Sequence, residues 1–337
     1  MSGANSSLGD FQKRLSHVAR MERSGIRGVP RETWIPLRFI QATQKLNPQS
    51  CFLWPRSPVS GPRSHHMCRF IAYLGPPVTL ARVVSEPEHS LIVQSYHPAE
   101  MTSGTVNVDG FGVGWYNRAV DPTPGVYTNI CPIWSDRNLP GLSKHVASDC
   151  IFANVRSATP GQAVDQSNCQ PFAYRQLLFM HNGYIENFRA TLMRPIRDAL
   201  QDEYYTTIGG STDSEHIFAL FLHNLHGQAA SVDAMTVALT ETIQQLSAWA
   251  EDRSVRVAVN VAITDGDCVV ASRFANTGPA PSLYYARTPT FFPHATVVAS
   301  ERPCADPRWQ TVEEDTIIGF TNQGGIQQTR IPTVRRR

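Results

Sequence analysis

The sequence predicts a layered α+β domain that begins at about residue 68. Strand patterns come in runs, such as the β-branched segments 255–264 and 267–274, and two helical patterns at 213–225 and 231–250 are grouped between the runs. A parallel doubly wound sheet would instead alternate strands with helices along the chain. We therefore expect sheets and helices packed in layers, and we find no internal repeat.

The first strand pattern is the apolar segment 68–74. Residues 108–117 follow, with glycines that allow another backbone to approach closely. Asp265-Gly266 separates two later strands and favours a hairpin turn. Strands are also predicted at 149–156 and 176–182, each ending in polar residues, and at 255–264, 267–274 and 296–300.

Both predicted helices have an apolar face. The first begins at about Asp213, where Thr212 and Glu215 have the spacing of a capping box. The second spans residues 231–250. The apolar positions are Ile217, Leu220, Phe221 and Leu225 in the first helix and Met235, Val237, Leu239, Ile243 and Leu246 in the second.

Charge is divided unevenly along the 337 residues. Residues 1–66 carry ten Lys/Arg and three Asp/Glu, a net charge of +7, whereas residues 67–337 carry twenty basic and twenty-five acidic residues, a net charge of −5. The mildly acidic body gives no electrostatic case for binding nucleic acid. The sequence has no run of 18 apolar residues, so we expect no transmembrane helix.

The seven cysteines are widely spaced, and none lies in a C-x-x-C pair. This spacing argues against a zinc or iron–sulfur site and against a secreted disulfide scaffold. We therefore expect a protein of the reducing cytoplasm.

The first 66 residues lack steady periodicity and mix Arg, Ser, Pro and Trp. Three interpretations compete: a targeting segment, a propeptide removed before Cys68, or an upstream region translated because the start codon was placed too early. We favour the last, because Met67 lies directly before Cys68 and methionine is rare in this chain. We predict a disordered extension over 1–66, one domain over 67–325 and a basic tail over 326–337.

Cys68 itself has two interpretations. With its peptide bond intact, it is a small buried residue that opens a strand. Once Met67 is removed, it carries a thiol and a free α-amine, which together form a nucleophile with its own base. The thiol is weakly ionised at neutral pH, and an amine with a pKa of about 7.7–8.0 can take its proton.

Three further stretches place polar groups where a strand or helix ends. Arg156 is either a surface residue or a bidentate clamp for a carboxylate. Asn182-Gly183 predicts either a type I′ turn or two N–H donors aimed at one oxyanion. Asp213 complements the dipole of its helix and could also hold a substrate ammonium. His181, on an apolar strand, is expected to be packed and hydrogen-bonded rather than to act as a general base.

In this order, the four stretches resemble the class II glutamine amidotransferases, whose domain is an N-terminal-nucleophile hydrolase. The resemblance covers nearly all of residues 68–320, and it implies a four-layer αββα sandwich. It also implies a role for each residue. Cys68 would be the nucleophile, Arg156 with Thr159 nearby would bind the glutamine α-carboxylate, Asn182 and Gly183 would form the oxyanion hole, and Asp213 would bind the α-amine.

Within this family, the stretches 67–77, 91–96, 108–116 and 298–301 are similar to the γ-glutamyl hydrolases of ergothioneine biosynthesis. This similarity implies removal of glutamate from γ-glutamyl-hercynylcysteine sulfoxide. The extension before Cys68 departs from the family pattern and would abolish the mechanism if it were retained.

A hydrolase is favoured over an ammonia supplier, because the chain has no P-loop and no G-x-G-x-x-G that opens a helix. The region after about residue 255 is predicted to add strands to the same sandwich rather than to form a second domain. Two alternatives stay open: a glutathione-degrading or general γ-glutamyl amidase or glutaminase, and a non-catalytic partner subunit. We expect a small-molecule γ-glutamyl substrate and no metal or organic cofactor, and we leave a homodimer open.

Overall fold

Antiparallel strand pairing dominates the structure, a computed structural model that describes residues 68–100, 106–158 and 163–332. The predicted extension 1–66, Met67 and Thr159 lie outside the described residues. The strands are β1 Arg69–Thr79, β2 Phe111–Asn117, β3 Asp121–Asn129, β4 Ala147–Val155, β5 Phe172–Tyr174, β6 Leu177–Ile185, β7 Val257–Thr264, β8 Cys268–Arg273, β9 Tyr284–Arg287, β10 Thr296–Ala299, β11 Gln310–Thr311, β12 Thr316–Thr321 and β13 Gln327–Arg330. The α-helices are α1 Leu80–Val84, α2 Leu91–Tyr96, α3 Leu139–His145, α4 Met193–Ala199, α5 Asp202–Tyr205, α6 Asp213–Leu225 and α7 Val232–Arg253.

Within the described ranges the strands form two sheets. The first has the order β11-β9-β10-β1-β4-β2-β3 and the second has the order β13-β12-β8-β7-β6-β5. In the first sheet Arg69 lies opposite Val155 of β4, and Ile71 lies opposite Ala299 of β10. The start of β1 therefore meets the ends of β4 and β10, and the polar residues that follow those two strands come together there.

Three layers of apolar side chains hold the sheets and helices together. One lies between α1–α3 and the first sheet, one lies between the two sheets, and one lies between the second sheet and α4–α7. Alternation along β1 sends Ile71 outward to the helices and Phe70 inward to the layer between the sheets. The arrangement confirms the predicted four-layer αββα sandwich.

Helix α6 has the predicted bounds, and one of the two hydrogen bonds of the predicted capping box is formed. The Thr212 hydroxyl accepts a hydrogen bond from the Glu215 backbone N–H at 3.2 Å. The predicted capping box is wrong in its second half, because the Glu215 carboxylate turns to the N–H groups of Gly209 at 2.8 Å and Gly210 at 2.7 Å. The carboxylate therefore fixes the loop before the helix rather than the N-cap residue.

Helix α7, predicted over 231–250, extends to Arg253. The Ser231 hydroxyl caps it by accepting the Ala234 backbone N–H at 3.1 Å. Although α7 has 22 residues, no helix in the three described ranges is both long and apolar enough to cross a membrane.

The predicted hairpin between β7 and β8 is confirmed. Gly266 takes a φ of +90°, which a residue with a side chain rarely adopts. At the other end of the second sheet, β13 pairs with β12 and continues the sheet into the segment that the sequence assigned to the basic tail.

Candidate active site

Cys68 lies directly before β1, at the point where β1, β4 and β10 meet. The inward series Phe70 and Ala72 in β1 places the Cys68 side chain toward the layer between the sheets. The Arg69 guanidinium donates a hydrogen bond to the Cys68 carbonyl oxygen at 2.9 Å. The residue as a whole is half-buried, and its thiol has close protein neighbours.

Burial raises the pKa of the Cys68 thiol. A hydrogen bond from the Ser157 backbone and the charge of Arg156 favour the thiolate, whereas the negative charge of Asp213 opposes it. Both predicted substrate-binding residues therefore lie close enough to act on the thiol. A thiol with a raised pKa is protonated at neutral pH, so Cys68 would need a base in order to act as a nucleophile.

Arg156 follows the last residue of β4 and is buried, with 3% of its surface exposed. Its guanidinium is held by backbone carbonyl oxygens, from Nη1 to Asp109 at 3.3 Å and from Nη2 to Ala163 at 3.3 Å. Its own backbone N–H donates to the Gly110 carbonyl oxygen at 2.8 Å. Arg156 is therefore a positioned interior cation, not the surface residue that the sequence also allowed.

Asn182 and Gly183 lie inside β6, so the prediction that they form a turn after a strand ending at 182 is wrong. β6 pairs with β7 without interruption as far as Ile185 opposite Val257. Glycine is required for this pairing, because a Cβ atom on Gly183 would lie 2.1 Å from the Ala258 carbonyl oxygen. A close approach between two strands therefore explains Gly183.

The Gly183 backbone N–H points to the edge of β6 that faces away from β7. Backbone N–H groups alternate between the two edges of a strand. The N–H of His181 donates to Gln170 Oε1 at 2.5 Å, and the N–H of Ile185 donates to Asp213 Oδ2 at 2.8 Å, both on the far edge. The N–H of Gly183 lies between these two and is available to a bound oxygen atom.

The Asn182 side chain is fully buried and points into the layer between the two sheets, as the side chains of Leu178 and Met180 do at alternate positions of β6. Its Nδ2 atom donates to the Ser300 hydroxyl at 3.2 Å. Its Oδ1 atom has no hydrogen-bond partner among the residues that the structure describes.

Asp213 is the first residue of α6 and is 7% exposed. Its Oδ2 atom accepts the Ile185 N–H, and its Oδ1 atom accepts the Ser214 backbone N–H at 2.8 Å. Each carboxylate oxygen can accept a further hydrogen bond, so the group can still receive an ammonium. The same carboxylate joins β6 to α6 and carries negative charge into the site.

His181 is packed in place, as expected. Its Nε2 atom lies 3.1 Å from the Ala258 carbonyl oxygen, an acceptor, and its Nδ1 atom lies 2.8 Å from the Ser214 hydroxyl. Nε2 must therefore carry the proton, and Nδ1 accepts from Ser214. Burial lowers the pKa of His181, although the charge of Asp213 acts in the opposite direction. A neutral imidazole with both nitrogens occupied does not serve as the base for Cys68.

Sequence reasoning missed the residues at the end of β10. Glu301 is 1% exposed and pairs with the buried Arg69 at 2.5 Å and with His89 at 2.7 Å. Because Arg69 also donates to the Cys68 carbonyl oxygen, Glu301 helps to hold Cys68 in place through Arg69. The segment 298–301 had contributed to the family resemblance, but nothing in its composition pointed to these contacts.

Asn154 of β4 was also missed. It is fully buried, and neither Nδ2 nor Oδ1 has a hydrogen-bond partner in the described ranges. It lies opposite Phe70 of β1, whose side chain faces the layer between the sheets. An unpaired buried amide is costly, and such groups cluster where a site is completed by a ligand or water.

The arrangement joins a thiol, a buried cation, a buried carboxylate and two groups with an N–H left to donate, namely the Gly183 backbone N–H and the second hydrogen of Asn182 Nδ2, whose first hydrogen points to Ser300. The cation and the carboxylate match the two charged groups of an amino-acid head, and the donors match an oxygen that gains charge during attack on a carbonyl. The described residues contain no group of three or more His, Cys, Asp or Glu placed to hold a metal ion.

Comparisons with known proteins agree with this chemistry. A family model described as glutamine amidotransferases class-II matches residues 88–301, a segment that contains the predicted site residues other than Cys68. The chain is 36% identical over 244 residues to the probable glutamine amidotransferase DUG3 of Saccharomyces cerevisiae, covering 65% of this chain and 68% of that protein.

Two further proteins are matched over nearly their whole length. The chain is 29% identical over 258 residues to the gamma-glutamyl-hercynylcysteine sulfoxide hydrolase of Mycobacterium tuberculosis, covering 77% of this chain and 94% of that protein. The solved structure of a glutamine aminotransferase class-II domain protein from Silicibacter pomeroyi aligns with a TM-score of 0.57 at 26% identity, covering 79% of this chain and 100% of that one.

Proposed function

The chain belongs to the class II glutamine amidotransferases, and we propose that it hydrolyses a γ-glutamyl amide with Cys68 as the nucleophile, releasing glutamate. One observation carries the proposal: the Cys68 thiol lies within electrostatic reach of both a buried cation, Arg156, and a buried carboxylate, Asp213. A γ-glutamyl group carries an α-carboxylate and an α-ammonium, and its carbonyl carbon lies two methylene groups beyond the carbon that bears them.

In the proposed complex, Arg156 binds the α-carboxylate and Asp213 binds the α-ammonium. Backbone carbonyl oxygens hold the guanidinium, and backbone N–H groups hold the carboxylate, so neither side chain has to reorganise when the substrate arrives. Fixing both ends of the head group sets the γ-carbonyl beside the thiol.

The reaction proceeds in two halves. The Cys68 α-amine, free once Met67 is removed, takes the thiol proton, and the sulfur bonds to the γ-carbonyl carbon while the carbonyl electrons move to oxygen. Asn182 Nδ2 and the Gly183 N–H stabilise that oxyanion, and losing one such donor costs on the order of 10²–10³ in rate. The ammonium returns its proton to the leaving nitrogen as the carbon–nitrogen bond breaks.

The glutamyl thioester is then hydrolysed. The same amine takes a proton from water, the hydroxide oxygen bonds to the carbonyl carbon, and the carbon–sulfur bond breaks. Cys68 recovers its proton and glutamate leaves. No residue of this scheme other than Cys68 has to change its protonation state.

Within this class of reaction, we propose γ-glutamyl-hercynylcysteine sulfoxide as the substrate. The M. tuberculosis relative named for this activity supports the proposal, because the chain covers 94% of that protein. The S. cerevisiae relative is named only as a probable glutamine amidotransferase and is 36% identical, which favours glutamine or another γ-glutamyl amide, such as glutathione, as the second candidate.

The test uses protein that begins at Met67, with mass spectrometry to establish that Cys68 is the first residue after processing. Glutamate release is measured from the sulfoxide, from glutathione and from glutamine. Cys68→Ala is expected to abolish release, whereas Cys304→Ala, a change at another half-buried cysteine, is expected to preserve it. Release by Cys68→Ala at near wild-type rate would overturn the mechanism, and the order of the three specificity constants decides between the substrates.

A further inference from the structure

Ser300, the residue that follows β10, is completely buried, and its hydroxyl oxygen and both of its backbone polar groups are hydrogen-bonded. Its hydroxyl oxygen accepts from the Phe70 backbone N–H at 3.1 Å and from Asn182 Nδ2 at 3.2 Å. Its backbone N–H donates to the Phe70 carbonyl oxygen at 3.0 Å, and its carbonyl oxygen accepts from the Ser282 hydroxyl at 2.8 Å. The hydroxyl oxygen therefore has a fixed position between β1 and β6.

This position determines how the Asn182 amide is oriented. The Ser300 hydroxyl is the only hydrogen-bond partner of that amide in the described part of the chain, because Asn182 Oδ1 has none there. A primary amide can turn about its last bond at little cost when nothing holds it. In the structure Nδ2, rather than Oδ1, lies 3.2 Å from the Ser300 hydroxyl oxygen, and this hydrogen bond holds the amide in that orientation.

An amide nitrogen carries two hydrogens. When one of them points to the Ser300 hydroxyl, the direction of the other is fixed by the planar geometry of the amide. That second N–H is the one that can donate to the oxyanion in the proposed mechanism. The Ser300 hydroxyl is also tied to the N–H of Phe70, two residues after Cys68, so one oxygen atom sets the donor relative to the strand that carries the nucleophile.

We propose that Ser300 is a positioning residue of the oxyanion hole, acting through Asn182 and touching no substrate. The proposal rests on the function proposed above, and it assigns to the end of β10 a role in the rate of the chemical step rather than in substrate binding. The proposed substrate-binding residues, Arg156 and Asp213, lie on other elements. The hydrogen bonds that they make among the described residues go to partners other than Ser300.

The kinetic test is a double-mutant cycle in the processed enzyme with Ser300→Ala, Asn182→Ala and both together. Ser300→Ala is expected to lower kcat about 10- to 100-fold with KM little changed, since a misdirected donor loses part of its stabilisation. In the Asn182→Ala background, removing the Ser300 hydroxyl is expected to cost less than about twofold, because the amide that it orients is gone and only its contact with the Phe70 N–H is lost. Multiplicative losses in the double variant would overturn the proposal.

Ser282→Ala is the matched control. It removes a hydroxyl that bonds to the Ser300 backbone and disturbs the same corner without changing the contact to Asn182. It is expected to retain kcat within about threefold. If Ser282→Ala lost as much kcat as Ser300→Ala, local packing rather than the orientation of the amide would be the cause, and the proposal would fail.

A second measurement does not depend on turnover. In protein labelled with ¹⁵N at asparagine, the side-chain amide signals of Asn182 are identified by their loss in Asn182→Ala. Ser300→Ala is expected to shift and broaden them as the amide gains freedom, while Ser282→Ala leaves them in place. Unchanged signals in Ser300→Ala would overturn the inference even if the enzyme showed no glutamate release, an outcome that by itself would count only against the proposed function.

Discussion

The Ile185 backbone N–H donates a 2.8 Å hydrogen bond to Asp213 Oδ2, and this bond joins β6, which carries Asn182 and Gly183, to the first turn of α6. One carboxylate thus has two uses. It fixes the strand that carries Asn182 and Gly183, and in the proposed mechanism it supplies the negative charge that binds a substrate ammonium. The two uses separate in large part on substitution, because an amide oxygen can still accept the Ile185 N–H, whereas the amide carries no charge and its nitrogen cannot accept the Ser214 N–H.

Asp213→Asn is therefore expected to fold with a modest loss of stability, because the Ser214 N–H loses its acceptor, and to bind its substrate poorly. Loss of a charged hydrogen bond of about 1.5–3 kcal/mol corresponds to a fall in kcat/KM of about 10- to 100-fold. Wild-type enzyme should prefer glutamine over 4-carbamoylbutanoate, which lacks the α-amine, and the variant should lose this preference. Steady-state kinetics on the two compounds measures it. Asp198→Asn, at an exposed carboxylate paired with Arg194, is the control. A variant that keeps the preference would refute the assigned role.

Arg156→Lys tests the other end of the head group. Lysine keeps the charge but replaces the planar fork with a single point, so a bidentate carboxylate contact is lost. The variant is expected to discriminate poorly between glutamine and 4-aminobutanamide, which lacks the α-carboxylate, with kcat/KM for glutamine reduced at least about tenfold. Arg194→Lys on the surface should behave as wild type. Normal discrimination by Arg156→Lys would mean that another group binds the carboxylate.

Much of the fold could be predicted from the sequence, because its signals are local. Helix α6 has the predicted bounds, since the cap residue Thr212 directly precedes thirteen residues with a 3.6-residue apolar period. The strand β3 was missed, because its two prolines and one glycine hide any alternation, and only pairing with β2 makes it a strand. Asn182-Gly183 was predicted as a turn because Asn-Gly is a strong hairpin signal, but uninterrupted pairing with β7 outweighs that local preference.

The residues of the candidate site likewise fall into those that the sequence could predict and those that it could not. Cys68, Arg156 and Asp213 could be singled out because each is a reactive or charged residue at the end of a predicted element. Ser300 and Glu301 could not, because their contacts join residues far apart in sequence: 118 residues separate Ser300 from Asn182, and 232 separate Glu301 from Arg69. Serine and glutamate at a strand end carry no signal until the register of β1 against β10 is known.

Gly183→Ala tests the close approach of β6 to β7. The added Cβ atom would meet the Ala258 carbonyl oxygen at 2.1 Å and His181 Nε2 at 2.5 Å, so the strand has to move. We expect a loss of stability of about 1–3 kcal/mol or more, with a fall in kcat as the Gly183 N–H is displaced. Urea unfolding and steady-state kinetics measure the two effects.

Gly141→Ala in α3 is the control for Gly183→Ala, because no heavy atom lies within 4 Å of its added Cβ. Alanine replaces glycine within a helix there, so stability should rise by about 0.5–1 kcal/mol and activity should not change. If Gly183→Ala were as stable and as active as Gly141→Ala, the contact with Ala258 would not constrain β6.

The last prediction concerns how low pH affects the ion pair between Glu301 and Arg69, the residue that donates to the Cys68 carbonyl oxygen. Burial acts to raise the pKa of this carboxyl, but the hydrogen bond from His89, the charge of Arg69 and the Ala99 N–H outweigh it and hold the pKa at about 2, below its ordinary value of 4.5. A carboxyl whose pKa is lower in the folded state stabilises the fold above pH 4.5 and loses that contribution as the pH falls through 2. The difference corresponds to at most about 3 kcal/mol.

Glu301→Gln is therefore expected to be less stable than wild type at pH 7 by up to about 3 kcal/mol, with the gap closing between pH 4.5 and 2 as the wild-type carboxyl takes up its proton. Denaturant unfolding of both proteins across this range measures the gap. Glu86→Gln, at an exposed ion pair with Arg82, should change stability by less than about 1 kcal/mol at any pH. A gap for Glu301→Gln that stayed constant from pH 7 to pH 2 would show that the ionised carboxylate is not what holds Arg69, and through it the Cys68 carbonyl, in place.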